Sequence, residues 1–193
     1  MKKNFVLITL GAAIIVTIVG FSVYSYSQIE VSLKDVSSIE INLAPLSFSD
    51  LIKLGLDALS GDWISVALEL ISEINLGLAF QLSNNGVFPV YVPNLSYDLL
   101  IDGNFVGHGY SNVDTLVYPG ETKEIFVIQN LQKSTLNPAL DSIIEKNGIV
   151  QVEINGIANF ELLGQTIPIE FGSTKQISIT EEIQNQINQR LEN

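Results

Sequence analysis

The sequence has no cysteine, and it contains only one histidine, one tryptophan and one methionine among its 193 residues. Without cysteine the chain has no disulfide bond, no thiolate nucleophile, no cysteine-rich metal centre and no cysteine to carry a lipid. The single histidine, His108, lies between two glycines, and we interpret it as an exposed loop residue. One histidine also excludes a multi-histidine metal site. These absences predict a non-catalytic protein that uses no metal and no cofactor.

Positive charge is scarce as well. Nine lysines and arginines stand against 21 aspartates and glutamates, and the formal net charge is −12. A surface this acidic repels phosphate groups, so we expect no nucleic acid partner. Asp98 and Asp102 lie four residues apart on a predicted strand and would share one face of it. They are either a functional carboxylate pair or ordinary solvated surface residues.

Charged residues and proline are absent between Phe5 and Tyr24. A helix of twenty residues rises about 30 Å, the thickness of the hydrocarbon core of a bilayer. The two lysines before this segment predict a cytoplasmic amino terminus, and Tyr24 stands where interfacial aromatic residues are expected. We therefore predict a single-pass anchor in the cell membrane within residues 1–29, and an extracytoplasmic domain after it. A cleaved signal peptide and a pilin-like subunit are the alternatives, and both leave the rest of the chain outside the cytoplasm.

After residue 29 the chain alternates apolar and polar residues in short segments, a pattern typical of half-buried strands. The first two segments are 29–33 and 39–43, and the later ones are separated by turn sequences. Among these turns, Asp102-Gly103 favours a tight hairpin. The spacing predicts a mainly β, antiparallel sandwich over residues 30–180. Its later segments are 76–82, 95–101, 105–106, 125–128, 150–154, 167–171 and 177–179.

Several motifs of this region occur together in one known family. An alternating strand ends in Asn84-Asn85-Gly86, and the hairpin at Asp102-Gly103 and the sequence Tyr118-Pro119-Gly120-Glu121 follow. Over residues 76–180 the chain resembles the water-stress-and-hypersensitive-response (WHy) domain of type 2 late embryogenesis abundant proteins, in its archaeal, membrane-anchored form. It departs from the family at Asn85, where a proline is usual. The resemblance implies an immunoglobulin- or fibronectin-III-like sandwich without catalytic residues, and an association with stress and desiccation.

Residues 49–74 fall outside the family pattern. Their apolar residues recur with helical spacing on two broad faces, and Ser60-Gly61 separates the two. We predict a helical hairpin inserted into the sandwich. Its apolar faces either pack on the sandwich or form an interaction surface for a partner or a second copy of the chain. The candidate residues of that surface are Leu56, Trp63, Leu68 and Ile71.

Two further features concern the chain's surface. Thr180 is positioned to cap a loosely held helix over residues 181–193, which is a second candidate for partner binding. Asn94-Leu95-Ser96 is a sequon, so Asn94 is a candidate site of N-glycosylation.

Taken together, the sequence predicts a membrane-anchored, extracytoplasmic, non-catalytic domain with a role in stress tolerance or envelope protection. The alternative function is an interaction module, a protein- or glycan-binding accessory subunit of an envelope complex. No nucleophile–base pair supports an enzyme.

Overall fold

A computed structural model describes residues 16–17, 19–21, 23–25, 27–43, 68, 71–162, 164–182 and 185 of the chain. Within these residues no helix is both long enough and apolar enough to cross a membrane. The predicted anchor segment 5–24 falls largely outside them, including Phe5 itself. The described strands are β1 (Ile29–Leu43), β2 (Ile71–Asn84), β3 (Val90–Ile101), β4 (Asn104–Val117), β5 (Glu121–Gln132), β6 (Ile149–Leu162) and β7 (Gln165–Ser178). Between β5 and β6 lie α1 (Lys133–Leu136), a 3₁₀ turn (Asn137–Ala139) and α2 (Leu140–Glu145).

The strands form two antiparallel sheets, one in the order β1-β2-β5 and the other in the order β4-β3-β6-β7. Ser173 Oγ on β7 donates to Leu33 O on β1 at 3.3 Å, and Lys123 Nζ on β5 donates to Leu116 O on β4 at 2.7 Å. The prediction of a mainly β, antiparallel fold is therefore confirmed. In an immunoglobulin constant domain the fourth strand extends the sheet of the first two strands, whereas here β4 lies beside β3.

The two short strands expected at 29–33 and 39–43 are one strand, β1. Its pairing with β2 shifts register between Leu33 and Asp35 and again between Val36 and Ser38. Each bulge inserts one residue and so reverses the face to which the following side chains point. Two bulges restore the original alternation, and for this reason Leu33 and Ile41 both face the core while the sequence between them loses its period.

The predicted helical hairpin was wrong at its carboxyl end, because residues 71–74 belong to strand β2. Ile71 pairs with Leu43 and Ile74 pairs with Ile41, so both isoleucines complete the sheet. An apolar residue every third position fits a helix, but it also fits a strand that carries a bulge, as β2 does where its pairing with β1 skips Ser72. Residues 49–67, 69 and 70 lie outside the described residues, and with them the rest of the hairpin.

The carboxyl-terminal helix is capped by a different residue from the one predicted. Residues 179–182 and 185 are helical, and Ser178 Oγ accepts the N–H of Glu181 at 3.3 Å, as an N-cap does. Thr180 Oγ1 instead donates to Asn147 O at 2.6 Å, which ties this segment to the turn before β6. Residues 183–184 and 186–193 lie outside the described residues.

Three aromatic rings meet at the centre of the core. Phe80 of the first sheet lies 5.2 Å from Tyr97 and 5.8 Å from Phe171 of the second sheet, measured between ring centroids. Tyr97 pairs with Gly109 on one side and Gly156 on the other, and Gly156 pairs with Phe171. Glycine at these two positions leaves space for the rings, since a Cβ on Gly109 would lie 2.1 Å from Tyr97 Cζ. The glycines that lie beside Tyr97 and Phe171 across the sheet therefore provide the space in the core that the two rings fill.

Two glycines of β4 test this packing as a matched pair. Gly109→Ala should lower the free energy of unfolding by about 2 kcal/mol, because the methyl group overlaps the Tyr97 ring. Gly107→Ala should change it by less than about 1 kcal/mol, in the stabilising direction, because its nearest neighbour, Leu131 Cδ2, lies at an ordinary 3.7 Å. Urea denaturation of the two full-length variants measures both values. Equal losses would show that strand conformation, and not the Tyr97 ring, sets the requirement for glycine.

Candidate functional site

The outward-facing side of the four-stranded sheet carries a mixed polar and aromatic surface. We define the outer face by Ser96, Asp98, His108, Tyr110, Asn155 and Ile157. Strand register places these residues side by side: Ser96 lies between Tyr110 and Ile157, and Asp98 lies between His108 and Asn155. Their neighbours in sequence point into the core, as the alternation of a strand requires. The sequence analysis identified Asp98 and His108 separately but did not bring them together.

Asp98 and His108 form a hydrogen-bonded pair across β3 and β4. His108 Nδ1 donates to Asp98 Oδ1 at 2.5 Å, and the ring of Phe105 packs 4.7 Å from the imidazole. The side chain of Asp98 is 52% exposed and that of His108 is 76% exposed. His108 lies within strand β4, so its prediction as a loop residue was wrong, although its exposure is as predicted. A polar pair this exposed contributes little to stability, and its groups are accessible to a ligand.

Small side chains leave a shallow depression in the middle of the outer face. One part, of about 230 Å³, is lined by Ser96, Asp98, His108, Asn155 and Ile157. It continues through Asn155 and Ile157 into a second part lined by Glu170 and Gly172. Gly172 pairs with Asn155 and has no side chain to fill the space above the sheet. The lining offers amide, hydroxyl, carboxylate and aromatic groups but no lysine or arginine, so it suits a hydroxyl-rich or peptide ligand better than an anion.

Asp98 and Asp102, the two carboxylates that the sequence analysis considered as a pair, lie in different parts of the structure. Asp102 lies in the β3–β4 turn with φ of 49°, followed by Gly103 with φ of 77°, as the tight hairpin requires. Its side chain is only 4% exposed and accepts hydrogen bonds from Ser142 Oγ at 2.7 Å, Lys146 Nζ at 2.7 Å and Gln151 N–H at 3.0 Å. Burial raises the pKa of Asp102, but these hydrogen bonds outweigh it and hold the pKa below its ordinary value. Asp102 therefore fastens the hairpin to α2 and β6 and is not part of the outer face.

Asn94, the candidate glycosylation site, lies within strand β3 between β4 and β6. Its side chain is half-buried, and its Oδ1 accepts a hydrogen bond from Asn159 Nδ2 at 2.7 Å. The acceptor amide is thus in the middle of a sheet, next to the outer face. Glycosylation of Asn94 stays a prediction.

The other predicted site residues do not gather in one place. Phe5, Leu56 and Trp63 lie outside the described residues, and Tyr24 is an exposed residue among the helical residues 23–25. Leu68 and Ile71, two members of the candidate interaction surface, are buried in the hydrophobic core. These two side chains are therefore covered by the protein's own residues. Within the described ranges no group of three or more histidine or carboxylate side chains is arranged to hold a metal ion.

A buried asparagine connects the two turns at one end of the sandwich. Asn84 is fully buried, and its Nδ2 donates to Phe88 O and Val117 O, each at 2.9 Å. Its Oδ1 accepts the N–H of Gly86 at 3.0 Å, and its backbone oxygen accepts the N–H of Gly120 at 2.7 Å. The β2–β3 loop and the β4–β5 turn are held together by this one residue, and the side-chain amide is well satisfied.

The same end of the sandwich is joined to the amino-terminal helical segment. Ser25 is fully buried, and its Oγ accepts the N–H groups of Val87 at 3.2 Å and Phe88 at 3.4 Å. The N–H of Asn85 donates to Gln28 O at 3.0 Å. A proline at position 85 has no N–H to donate. The departure from the family pattern at Asn85 therefore serves this junction, and it was the one sequence signal that could have revealed it.

No protein-family model matches the sequence, and no curated protein matches it. Similar solved structures include a protein from Archaeoglobus fulgidus, with 14% identity over 75% of this chain and 97% of that chain, at a TM-score of 0.44. A protein from Arabidopsis thaliana has 13% identity over 78% of each chain at a TM-score of 0.49. A late embryogenesis abundant (LEA) protein has 11% identity over 90% of this chain and 87% of that chain, at a TM-score of 0.46. The likeness concerns the fold and assigns no activity.

Substituting Asp102 tests the role of its buried carboxylate. Asp102→Asn should lower the free energy of unfolding at pH 7 by about 2–3 kcal/mol, because it removes a charged acceptor from three donors. The folded pKa lies below the unfolded pKa, so the stabilisation is complete above the unfolded value and is lost as the pH falls through the folded value. Denaturation is measured from pH 7 to pH 2. The difference in free energy of unfolding between Asp102→Asn and the wild type should become smaller below about pH 4.

The matched control for this experiment is Asp98→Asn on the exposed outer face. It should cost less than about 1 kcal/mol at any pH in that range. A difference between Asp102→Asn and wild type that persists unchanged at pH 2 would contradict the electrostatic role of Asp102.

Proposed function

We propose that this protein is a non-catalytic WHy-like domain, held outside the cytoplasm by an amino-terminal membrane anchor, that protects the cell envelope during drying or osmotic stress. The single observation that supports the family assignment is the hydrogen bonding of Asn84. Two of the segments on which the resemblance rests, Asn84-Asn85-Gly86 and Tyr118-Pro119-Gly120-Glu121, are far apart in sequence. In the fold Asn84 bonds directly to residues of both regions, so the shared motifs belong to one structural unit.

The geometry of the outer face supports binding more than catalysis. An efficient general base is held in a water-excluded site, where its hydrogen bonds are strong and its orientation is fixed. Asp98 and His108 are both more than half exposed on an open sheet surface. In that position water competes for each of their hydrogen bonds, and they are suited to contact a ligand or a polar surface.

The outer face is the surface that we assign to protection. Tyr110 is 62% exposed and its hydroxyl donates to Asn112 Oδ1 at 3.0 Å, while Phe105 lies beside His108. Aromatic rings beside amide and carboxylate groups can replace water at sugar or head-group hydroxyls as a membrane dries. The same exposed aromatic residues favour the alternative function, an interaction module, because tyrosine and phenylalanine are enriched at protein interfaces.

A drying assay tests the proposed function with the two glycine variants, which are similar in chemistry but are predicted to differ in stability. The full-length protein is reconstituted into lipid vesicles that contain a self-quenching dye, and the vesicles are dried and rehydrated. We expect less dye leakage than from protein-free vesicles. Drying at a temperature between the melting temperatures of Gly107→Ala and Gly109→Ala should preserve protection by the former and abolish it for the latter, because only the former keeps a folded sandwich.

A second arm of the assay locates the protective surface. Tyr110→Ala should increase leakage at least twofold without changing the melting temperature, since its side chain is exposed. Leakage that is the same with and without the protein would contradict a protective function. Co-purification of a specific envelope protein that Tyr110→Ala abolishes, together with no effect on leakage, would establish the interaction module instead.

A further inference from the structure

Two turns at one end of the sandwich are uncharged in a strongly acidic protein. The β2–β3 loop, residues 85–89, reads Asn-Gly-Val-Phe-Pro, and the β4–β5 turn, residues 118–120, reads Tyr-Pro-Gly. Neither contains a charged residue, although the chain carries a net charge of −12. The hydrogen bond from Gly120 N–H to Asn84 O holds the two turns side by side. We define this end as the basal tip, represented by Val87, Phe88, Tyr118 and Pro119.

The basal tip exposes apolar side chains to solvent. Val87 is 45% exposed and Tyr118 is 56% exposed. The carboxylate nearest in sequence, that of Glu121, accepts the N–H of Tyr118 at 2.8 Å, and Lys123 Nζ donates to Leu116 O. Both charged groups are held by backbone groups of the turn and of β4, and the large side chains that the two turns expose, Val87 and Tyr118, are apolar or aromatic.

The amino-terminal segment arrives at this same end. Ser25, directly after the apolar segment that ends at Tyr24, accepts hydrogen bonds from the N–H groups of Val87 and Phe88. Residues 16–17, 19–21 and 23–25 are helical. Four of their apolar side chains are more than half exposed, those of Val16, Val19, Phe21 and Val23. The chain is therefore bonded to the basal tip one residue after the apolar segment ends, so the tip lies close to the end of that segment.

We propose that the basal tip rests on the surface of the lipid bilayer, with Val87 and Tyr118 in the interfacial layer next to the anchor. The inference rests on the membrane anchor of the proposed function. Tyrosine is favoured at the membrane–water interface, and uncharged turns incur no cost for removing a charge from water. The sandwich stands in one fixed orientation, with α1, α2 and the β3–β4 turn at the end furthest from the membrane.

Fluorescence quenching by brominated lipids tests this orientation in the full-length protein. Trp63 is the only tryptophan, so Trp63→Phe provides a dark background in which each new tryptophan is a single reporter. The protein is reconstituted into phosphatidylcholine vesicles that carry bromine high on the acyl chains. We expect Tyr118→Trp to lose at least half of its emission, relative to vesicles without bromine. Phe126→Trp, at a 68% exposed position of β5, should lose almost none.

Two further reporters make each outcome decisive. Val87→Trp repeats the measurement at the tip and replaces Tyr118→Trp if that variant does not fold. Tyr24→Trp reports on the anchor itself. Quenching of Tyr24→Trp without quenching of either tip reporter would overturn the inference and leave the anchor intact. Absence of quenching at all three positions would overturn the anchor of the proposed function together with the inference.

Discussion

The buried side-chain amide of Asn84 determines the structure of the sandwich at the basal tip. It pairs with carbonyl groups of two turns that are remote in sequence, and it orders the following residues by accepting the N–H of Gly86. Loss of such an amide leaves the oxygens of Phe88 and Val117 without this donor, at a cost of about 1–3 kcal/mol for each buried group. The ordered loop in turn presents the N–H groups of Asn85, Val87 and Phe88 to the amino-terminal segment. Connection of the sandwich to its predicted anchor therefore depends on Asn84.

The aromatic centre of the core has a comparable effect on the outer face. Tyr97 and Phe171 fill the inward space beside Gly109 and Gly156, and this fixes the inward side of both strands. Because side chains alternate along a strand, their neighbours Ser96, Asp98 and Asn155 must point outward in register. Burial of Tyr97 also raises the pKa of its hydroxyl group to about 12, and the hydroxyl donates to Gln129 Oε1 at 3.1 Å across the core. The polar surface and the apolar core are thus two sides of one arrangement.

Local patterns predicted the strands and the β3–β4 hairpin well, because alternation and the Asp102-Gly103 turn are properties of neighbouring residues. They failed where pairing decides the outcome. The bulges of β1 and the strand conformation at Ile71 depend on how each strand pairs with its neighbour, which the spacing of apolar residues within one segment does not show. The short helices over 133–145 were missed, since each is too brief for a full amphipathic pattern even though Leu136, Ala139 and Ile143 are buried.

The candidate site was less predictable than the fold for the same reason. Asp98 and His108 become partners only through the register of β3 and β4, which no short window of sequence contains. The Ser25 junction links residues more than sixty positions apart, and only the missing proline at Asn85 pointed to it. Ser178 replaced Thr180 as the helix cap because Asn147, remote in sequence, accepts the hydroxyl of Thr180.

The central claim is that the amino-terminal segment is fastened to an end of the sandwich that Asn84 organises. Amide hydrogen exchange, measured by NMR on the full-length wild type and on Ser25→Ala, tests it most directly. The account predicts that the N–H groups of Val87 and Phe88 exchange slowly in the wild type and at least tenfold faster in Ser25→Ala. The N–H groups of Gly86 and Gly120, which bond to Asn84, should exchange at the same rate in both proteins. Unchanged exchange at Val87 and Phe88 in the variant, or equal acceleration at all four amides, would contradict the account.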